Sequence, residues 1–230
     1  MRYDRQIILP EIGETGQNRL KKAKVLIIGV GGLGSPIALY LAGAGVGHIG
    51  LIDDDLVSIS NLQRQVLYSE KELGKSKAIC AAERLAVLNS EIRIQAYPVR
   101  LTEENARKII GEYDMVVDGC DNFATRYLVN DICIELEKPY IYGAICGFEG
   151  QVSVFNYGDR KRNYRNLYPD EEEMKRLPPP PKGVMGVTPA VVGSIEATEV
   201  LKIICRFGDV LAGELWTIDL RTLQSNKFSL

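Results

Sequence analysis

The sequence contains little that would mark a membrane, secreted or nucleic-acid-binding protein. No apolar run is long enough to span a bilayer, and the charged opening residues do not resemble a secretory signal. Lys and Arg number 28 against 30 Asp and Glu, and the net charge of -2 provides no basic field for nucleic acid. We therefore expect a cytoplasmic protein with no membrane or nucleic-acid partner.

Cysteine pairs are also missing. None of the five cysteines forms a C-x-x-C pair with another. An odd number without framework spacing argues against a disulfide scaffold and fits a reducing cytoplasm. The scattered thiols are Cys80, Cys120, Cys133, Cys146 and Cys205.

Alternating strand and helix patterns occupy the first two thirds of the chain. The 230 residues, 46% of them hydrophobic, suffice for one α/β domain. Short apolar, β-branched runs predict strands over 25–30, 48–52, 92–96, 114–117 and 140–143. Helical spacing predicts helices over 33–45, 75–88, 103–110 and 123–137. This alternation predicts a Rossmann-like, doubly wound and mostly parallel sheet with helices on both faces.

The pattern changes after residue 149. Residues 150–155 alternate with a period of two, as in an antiparallel or edge strand, and strands over 214–219 and 224–228 end the chain. We expect the C-terminal strands to be antiparallel. The polar stretch 156–182 includes four prolines in a row and predicts a loop without regular elements. Thr188 is predicted to cap a helix with Pro189 at its first position. We interpret residues 1–230 as one domain with an N-terminal arm (1–22) and a mobile crossover loop (156–187).

A Gly-rich segment lies between the first strand and the first helix of the sheet. Glycines at this position let backbone N–H groups approach a phosphate at the helix N-terminus. Asp53 ends the next strand, where a carboxylate can accept hydrogen bonds from ribose hydroxyls. This fingerprint predicts a nucleotide site without choosing between NAD, FAD and ATP. Its glycines are Gly29, Gly31, Gly32 and Gly34.

Further charged and amide side chains follow the carboxyl ends of the other predicted strands. Cations and a carboxylate converging there suit a triphosphate with Mg²⁺, because the cations neutralise phosphate charge and the carboxylate holds the metal. Each residue also has an ordinary interpretation, as a solvated charge or, for Asp121 and Asn122, as a helix cap. The candidates are Asn61, Arg64, Lys77, Asp121 and Asn122, with Arg126 just beyond them.

Several motifs occur in one order along nearly the whole chain. They lie at residues 2–6, 9–13, 61–65, 118–122, 150–151 and 183–185, together with the Gly-rich segment and Lys77. In this order they resemble the ThiF/MoeB/HesA family of ubiquitin-activating-type adenylyltransferases. The resemblance implies ATP-dependent adenylation of the C-terminal glycine carboxylate of a ubiquitin-like sulfur-carrier protein, for thiocarboxylate formation in thiamin or molybdopterin biosynthesis.

The same resemblance implies roles for individual residues. Asp53 is expected to bind the ribose, Asn61 to orient the phosphates, and Arg64 and Lys77 to neutralise them. Asp121 is expected to coordinate Mg²⁺. Arg5 matches an arginine that relatives insert into the partner subunit's ATP site, so a homodimer is implied.

Two expected features of the family are absent from this sequence. Asn163 and Asn166 stand where many relatives have the first of two zinc-binding C-x-x-C pairs, and no second pair follows the last strand, so we expect no structural zinc. The segment before Gly183 also lacks the cysteine that receives the activated carrier in some relatives. We expect a separate sulfur donor, and we interpret Cys120 and Cys146 as inert.

Two rival functions share the Gly-rich fingerprint. An NAD-dependent oxidoreductase would leave Arg64, Lys77 and Asp121 unexplained. A non-catalytic binding protein of the same family is the second alternative, although every expected ATP-site position is filled. The sequence also leaves open another substrate, such as a tRNA or a peptide C-terminus.

Overall fold

One mixed sheet of eight strands organises the chain. The computed structural model describes residues 2–159, 161–178 and 183–230. The spatial order of the strands is β3-β2-β1-β4-β5-β6-β7-β8. Pairing is parallel from β3 to β5 and antiparallel from β5 to β8, as predicted. The strands are β1 Lys24–Ile28, β2 His48–Ile52, β3 Arg93–Tyr97, β4 Met115–Asp118, β5 Tyr140–Cys146, β6 Glu149–Phe155, β7 Glu214–Asp219 and β8 Gln224–Ser229.

Helices cover both faces of this sheet. Alternate residues of β1 belong to opposite apolar clusters, Val25 and Ile27 to one and Leu26 and Ile28 to the other. The first cluster is completed by α3, α4 and α9, and the second by α5 and α6. In chain order the helices are α1 Asp4–Ile7, α2 Gly13–Lys22, α3 Gly34–Ala44, α4 Lys77–Leu88, α5 Glu103–Gly111, α6 Phe123–Glu135, α7 Tyr164–Leu167, α8 Glu171–Arg176 and α9 Val187–Cys205.

The strand order creates a crevice between β1 and β4. The chain leaves β1 towards β2 on one side, whereas β4 pairs with β1 on the other side. Open α/β sheets bind ligands at such a switch point, outside the carboxyl ends of the strands. The segments following β1, β2 and β4 therefore border one site.

The predicted crossover loop contains regular structure, so that part of the prediction is wrong. Both α7 and α8 lie within residues 156–187 and begin at local caps. The Asn163 side chain accepts from the Arg165 N–H, and the Asp170 side chain accepts from the Glu173 N–H. Such caps satisfy backbone donors at the start of even a very short helix. Arg160 and residues 179–182, with most of the proline run, lie outside the described residues.

The helix after the crossover begins earlier than predicted. α9 starts at Val187 with Gly186 as its N-cap, so Thr188 is not the cap. The Thr188 hydroxyl instead donates to the Gly147 carbonyl at 3.0 Å and ties α9 to the turn after β5. In the described ranges no helix combines the length and apolar content needed to cross a bilayer.

Smaller differences also have local causes. β1 ends at Ile28 rather than at residue 30. The Val30 N–H donates to the Asp53 carboxylate instead of to a carbonyl of a neighbouring strand. Of the two alternatives predicted for residues 150–155, the antiparallel strand is confirmed and the edge strand is not, since β7 and β8 continue the sheet beyond it. The N-terminal arm folds as α1 and α2.

Candidate active site

The Gly-rich segment makes a close turn between β1 and α3. Gly29 has φ +85°, and a Cβ there would lie 2.5 Å from the Gly119 carbonyl oxygen. A Cβ at Gly34 would lie 2.0 Å from the Gly29 oxygen, so both positions require glycine. Gly31 and Gly32 are less crowded, with nearest contacts of 3.3 Å and 3.2 Å to side chains. Because the first N–H groups of a helix lack intrahelical acceptors, this turn presents donors to an anion.

Asp53 is bound to the Gly-rich segment. Its Oδ2 accepts from the Val30 N–H at 2.9 Å, and its Oδ1 accepts from the Asp55 N–H at 2.9 Å. Burial raises the pKa of Asp53, and the two backbone hydrogen bonds oppose that rise. Carboxylate oxygens of Asp53, Asp54 and Asp55 lie within 4.8 Å of one another. The segment after β2 is thus a strongly acidic border of the crevice.

Lys77 balances part of this negative charge. It is the first residue of α4, its side chain is only 5% exposed, and its Nζ lies 2.8 Å from Asp55 Oδ2. The Lys77 N–H also donates to the Asp55 carbonyl. The lysine predicted from the sequence as a phosphate ligand is therefore held by a carboxylate for which the sequence analysis gave no role.

Arg64 lies over the Gly-rich segment. Its Cδ is 3.6 Å from the position of a Cβ on Gly32, and its Nη1 donates to the Ser60 carbonyl at 3.2 Å. The Asn61 carbonyl accepts from the N–H groups of Arg64 and Gln65, both at 3.0 Å, and so closes the turn that carries Arg64. The structure thus brings Arg64 next to the predicted phosphate site, on a turn that Asn61 closes.

Tyr68 and Gln65 border the same turn and had no role in the sequence analysis. The buried Tyr68 hydroxyl donates to the Val30 carbonyl at 2.8 Å, and Gln65 Nε2 lies 3.3 Å from the position of a Cβ on Gly31. Gln65 belongs to the motif at 61–65, which was the available signal. Nothing in the pattern around Tyr68 distinguished it from a core aromatic.

The segment after β4 carries Asp121 and Asn122. The Gly119 N–H donates to the Ile28 carbonyl at 2.7 Å, so this segment lies directly against the Gly-rich turn. Asn122 is the N-cap of α6, and its side chain accepts from the Thr125 N–H at 2.9 Å. Asp121 is exposed. The helix-cap interpretation therefore holds for Asn122, whereas Asp121 is an exposed residue on the segment that borders the crevice.

Cys120, between Gly119 and Asp121, has a thiol of low reactivity. Its Sγ lies 2.8 Å from Asp118 Oδ1. Burial raises the pKa of the thiol well above its usual range, and the Asp118 carboxylate raises it further. A thiol that stays protonated is a poor nucleophile. The geometry therefore favours the inert interpretation of Cys120.

A cavity of about 390 Å³ adjoins the crevice on the face of the sheet that α6 covers. Arg126 lines the cavity and also donates to the carbonyl of Cys120, the residue before Asp121. Arg126 therefore connects the cavity to the segment that carries Asp121. Gln151 donates to the hydroxyls of Tyr142 (2.6 Å) and Tyr168 (3.0 Å) on its wall. The cavity continues along β6 and β7, and its lining includes the exposed Cys146.

Arg5 is far from the crevice of its own chain. It lies on α1, where Gln6 donates to the Ala44 carbonyl and Tyr3 packs against Gly45. Both contacts are at the C-terminal end of α3, whereas the Gly-rich turn is at its N-terminal end. A helix of 11 residues is about 16 Å long. The structure therefore separates Arg5 from the other predicted site residues.

Comparison with known proteins identifies this arrangement. The ThiF family model matches residues 3–230. The chain belongs to the ThiF family. It is 50% identical to the sulfur carrier protein adenylyltransferase of Thermus thermophilus over 95% of this chain and 82% of that protein. The family predicted from the motifs is thereby confirmed.

Other relatives are longer than this chain. A probable molybdopterin-synthase adenylyltransferase of Porphyra purpurea is 43% identical over 100% of this chain and 60% of its own length. A probable adenylyltransferase/sulfurtransferase MoeZ of Mycobacterium tuberculosis is 46% identical over 95% of this chain and 57% of its own length. The chain thus spans somewhat more than half of these two relatives.

Solved structures of other proteins share the fold. Escherichia coli MccB crystallised with ATP superimposes with a TM-score of 0.86 at 27% identity, over 100% of this chain and 71% of MccB. MccB has also been solved with AMPCPP and MccA, with a TM-score of 0.85 and 27% identity over 99% of this chain and 71% of MccB. ATP and its analogue are thus ligands of a protein with this architecture.

Proposed function

We propose that this chain uses ATP to adenylate the C-terminal glycine carboxylate of a ubiquitin-like sulfur-carrier protein. The product is an acyl-adenylate, which is converted to a thiocarboxylate for thiamin or molybdopterin biosynthesis. The names of the sulfur-carrier and molybdopterin-synthase relatives support this activity. The proposal is supported above all by the Gly-rich turn, with Arg64 lying over Gly32 and the Asp121 segment held against the turn through Gly119.

The chemistry needs positioning and charge stabilisation more than acid–base groups. The attacking carboxylate is already ionised near neutral pH, so no side chain has to remove a proton. Its oxygen attacks the α-phosphorus of ATP, the bond to the bridging oxygen breaks, and pyrophosphate leaves with that electron pair. Arg64, Lys77 and the N-terminus of α3 stabilise the charge on the phosphates, Asn61 orients them, and Asp53 binds the ribose hydroxyls.

The site also fits Mg²⁺, which would neutralise phosphate charge. This cation is usually held by one or two carboxylates together with substrate phosphates. Asp121 is an exposed carboxylate on a segment that lies against the Gly-rich turn. Asp121 is therefore the residue that would hold the metal, and Asn122 keeps its place as the cap of the following helix.

The cavity beside the crevice fits the extended C-terminus of a carrier. Glycine residues have no side chains to accommodate, so a Gly-Gly end can pass through a narrow opening that larger side chains cannot enter. Its wall combines aromatic rings with polar groups, as in Tyr142, Gln151 and Tyr168. A carrier ending in a side chain larger than glycine is expected to be a poor substrate.

Arg5 acts on a partner subunit in this proposal. The separation of Arg5 from its own Gly-rich turn supports a homodimer in which each α1 serves the other subunit's site. Arg5→Ala and Asp121→Ala subunits would each be inactive alone. Mixed in equal amounts and allowed to exchange, they are expected to recover about one quarter of the wild-type sites, because half of the dimers then contain one intact site. No recovery would show that Arg5 acts within its own chain.

Sulfur is expected to come from another protein. The exposed Cys146 lines the cavity, and we assign its thiol no role in the reaction. In this account the chain stops at the acyl-adenylate and a separate donor supplies the sulfur.

Intact-mass spectrometry of the carrier tests the proposal. Incubation of wild-type chain, ATP, Mg²⁺ and a Gly-Gly-ended carrier is expected to increase the carrier mass by one adenylyl group. A carrier that lacks its last glycine is the matched control and is expected to stay unmodified. An NAD-dependent oxidoreductase would instead bind NADH and leave every carrier unchanged, which would refute adenylation.

A further inference from the structure

A buried ion pair lies behind the segment that carries Asp121. Arg126 Nε lies 2.9 Å from Asp118 Oδ2, and the two side chains are 9% and 1% exposed. Burial is the largest influence on the pKa of Arg126 and lowers it, but Asp118, Tyr142, Cys120 and Tyr140 together raise the guanidinium pKa above its usual range. Breaking such a pair by removing one partner is costly, because it leaves a buried charge uncompensated. Both charges are therefore fixed parts of the folded site.

Both members of this pair bind the backbone immediately before Asp121. Asp118 Oδ1 accepts from the Cys120 N–H at 2.9 Å, and Arg126 Nη2 donates to the Cys120 carbonyl at 2.9 Å. The N–H and the C=O of one residue are thus held by two opposite charges. Hydrogen bonds to charged groups are the stronger ones, so this residue has little freedom to move.

The pair also joins this segment to β5. Arg126 Nη2 donates to the Gly143 carbonyl at 3.2 Å, and the Tyr140 hydroxyl donates to Asp118 Oδ2 at 3.0 Å. Gly119 is meanwhile held against the Gly-rich turn by its hydrogen bond to Ile28. The residues before Asp121 are therefore fixed between the phosphate-binding turn on one side and β5 on the other.

We propose that Arg126 is a positioning residue, which acts through Asp118 and the Cys120 backbone to place the Asp121 carboxylate for Mg²⁺. It touches neither metal nor phosphate in this role. The inference rests on the proposed function, because Asp121 is the residue expected to hold the metal. A guanidinium is required because it binds Asp118, Cys120 and Gly143 at once in a planar arrangement, which the single ammonium of lysine cannot reproduce.

The matched variants are Arg126→Lys and Arg165→Lys. Arg165 also makes a charged pair with α6, through Asp131, and it donates to Glu171 as well. It lies away from the Asp121 segment. The Arg165 variant thus controls for the loss of a guanidinium that forms two hydrogen bonds to a carboxylate of α6. Comparison of the two variants distinguishes an effect on the placement of Asp121 from a general destabilisation of α6.

Metal binding is measured without any carrier, as the affinity for Mn²⁺ in the presence of AMPCPP, followed by electron paramagnetic resonance. Loss of a residue that orients a metal ligand typically weakens metal affinity about 10- to 100-fold, and we expect this for Arg126→Lys. Metal-free AMPCPP affinity is expected to stay within about twofold of wild type, since a uniform loss of nucleotide binding would reflect direct contact. Hydrogen exchange of a peptide covering residues 119–122 is expected to accelerate in this variant only.

Several outcomes would overturn the proposal. One is a folded Arg126→Lys protein with wild-type Mn²⁺ affinity, and another is an equal loss of metal-free AMPCPP binding. A third is the same loss of Mn²⁺ affinity in Arg165→Lys. If the wild-type chain binds Mn²⁺ and AMPCPP but adenylates no carrier, the proposed function fails while the positioning role is still decided by these measurements.

A second variant covers the case in which Arg126→Lys does not fold. Tyr140→Phe removes one hydrogen bond to the Asp118 carboxylate and leaves the ion pair in place. Because the ion pair still holds the segment, Mn²⁺ affinity is expected to fall by about 2- to 10-fold, less than after loss of the positioning residue itself. An unchanged Mn²⁺ affinity in this variant would contradict the positioning role.

Discussion

Lys77 and Asp55 form an ion pair at the border of the nucleotide site, with Nζ 2.8 Å from Oδ2. The lysine side chain is 5% exposed and the aspartate side chain 68% exposed. The carboxylate therefore holds a buried cation in place from the solvent side. A bound triphosphate would have to share this ammonium with Asp55, which couples the two residues in ATP binding.

This coupling can be measured with a double-mutant cycle. Lys77→Met is expected to weaken ATP binding strongly, because it removes a cation and leaves Asp55 to repel the phosphates. Adding Asp55→Asn to that variant is expected to restore part of the affinity, with a coupling energy of about 1 kcal/mol or more. Calorimetric titration of ATP into the four proteins provides the cycle. Strictly additive effects would show that the pair does not act on the nucleotide.

Arg64 and Asp121 are expected to be needed for chemistry but not for folding. Arg64→Ala and Asp121→Ala should each reduce adenylate formation by about 10²- to 10³-fold, the usual loss when one transition-state charge partner is removed. Neither side chain belongs to the buried core, so the free energy of unfolding should change by about 0.5 kcal/mol or less. Activity and melting curves are measured on the same preparations. Wild-type turnover in either variant would refute its assignment.

The glycines of the phosphate turn should separate into two classes. In Gly34→Ala the new Cβ would lie 2.0 Å from a backbone oxygen, so the turn must distort. Overpacking of this kind costs about 1–3 kcal/mol, and we expect a melting temperature lowered by several degrees. Gly31→Ala meets only the Gln65 side chain at 3.3 Å and should keep the wild-type melting temperature while binding ATP less well. Equal stability of the two variants would contradict this distinction.

Glu196 provides a prediction about pH. It lies on α9 with no solvent exposure, and neither carboxyl oxygen has a hydrogen-bond partner among the described residues. Burial raises its pKa well above the usual range, nearby Asp118 raises it further, and Arg126 lowers it. For an acid with a raised folded pKa, the stability contribution is complete below the unfolded pKa. It is lost as the pH rises towards the folded value, at up to about 1.4 kcal/mol per pH unit.

Glu196→Gln removes this pH dependence. The variant is expected to be more stable than wild type at pH 8, and the difference should shrink as the pH falls towards 5. Glu199→Gln is the matched control on the same helix, because the Glu199 carboxylate accepts from the Leu211 N–H at 2.8 Å and so has a partner. Urea unfolding at both pH values measures the effect. A Glu196→Gln protein that is less stable than wild type at pH 8 would contradict it.

Removal of zinc should leave stability unchanged. Asn163 and Asn166, which replace the first expected cysteine pair, form a capping box at the start of α7. The Asn166 side chain accepts from the Asn163 N–H at 2.9 Å, so these amides are used in backbone capping. Incubation with a zinc chelator is therefore expected to leave the melting temperature as it was. A clear loss of stability would show that other residues of the protein hold the metal.

Local patterns predicted the sheet and the phosphate turn well. β2 and β7 have the predicted bounds, and Asp53 lies against the Gly-rich turn as its position after β2 implied. Both are consequences of short-range periodicity and of the rule that ligands bind beyond parallel strands. The capping signal of Asp170 and Glu173 was also present before α8, but the polar composition around it concealed the helix.

Long-range pairing could not be predicted in the same way. The bond from Lys77 to Asp55 and the bonds from Arg126 to Asp118, Cys120 and Gly143 depend on how separate strand ends meet. Each of these side chains has an ordinary local interpretation in the sequence, and only the three-dimensional arrangement selects among them. The same holds for Glu196, whose helix pattern gives no sign that its carboxyl group lacks a partner.

ATP–pyrophosphate exchange is the most direct test of the central claim. The purified chain is incubated with ATP, labelled pyrophosphate, Mg²⁺ and each of several Gly-Gly-ended sulfur carriers, with Asp121→Ala as the inactive control. The account predicts exchange that requires one carrier and is lost in the control, which would also identify the pathway. Tight ATP binding without exchange for any carrier would contradict the account, and would indicate a different substrate or a non-catalytic member of the family.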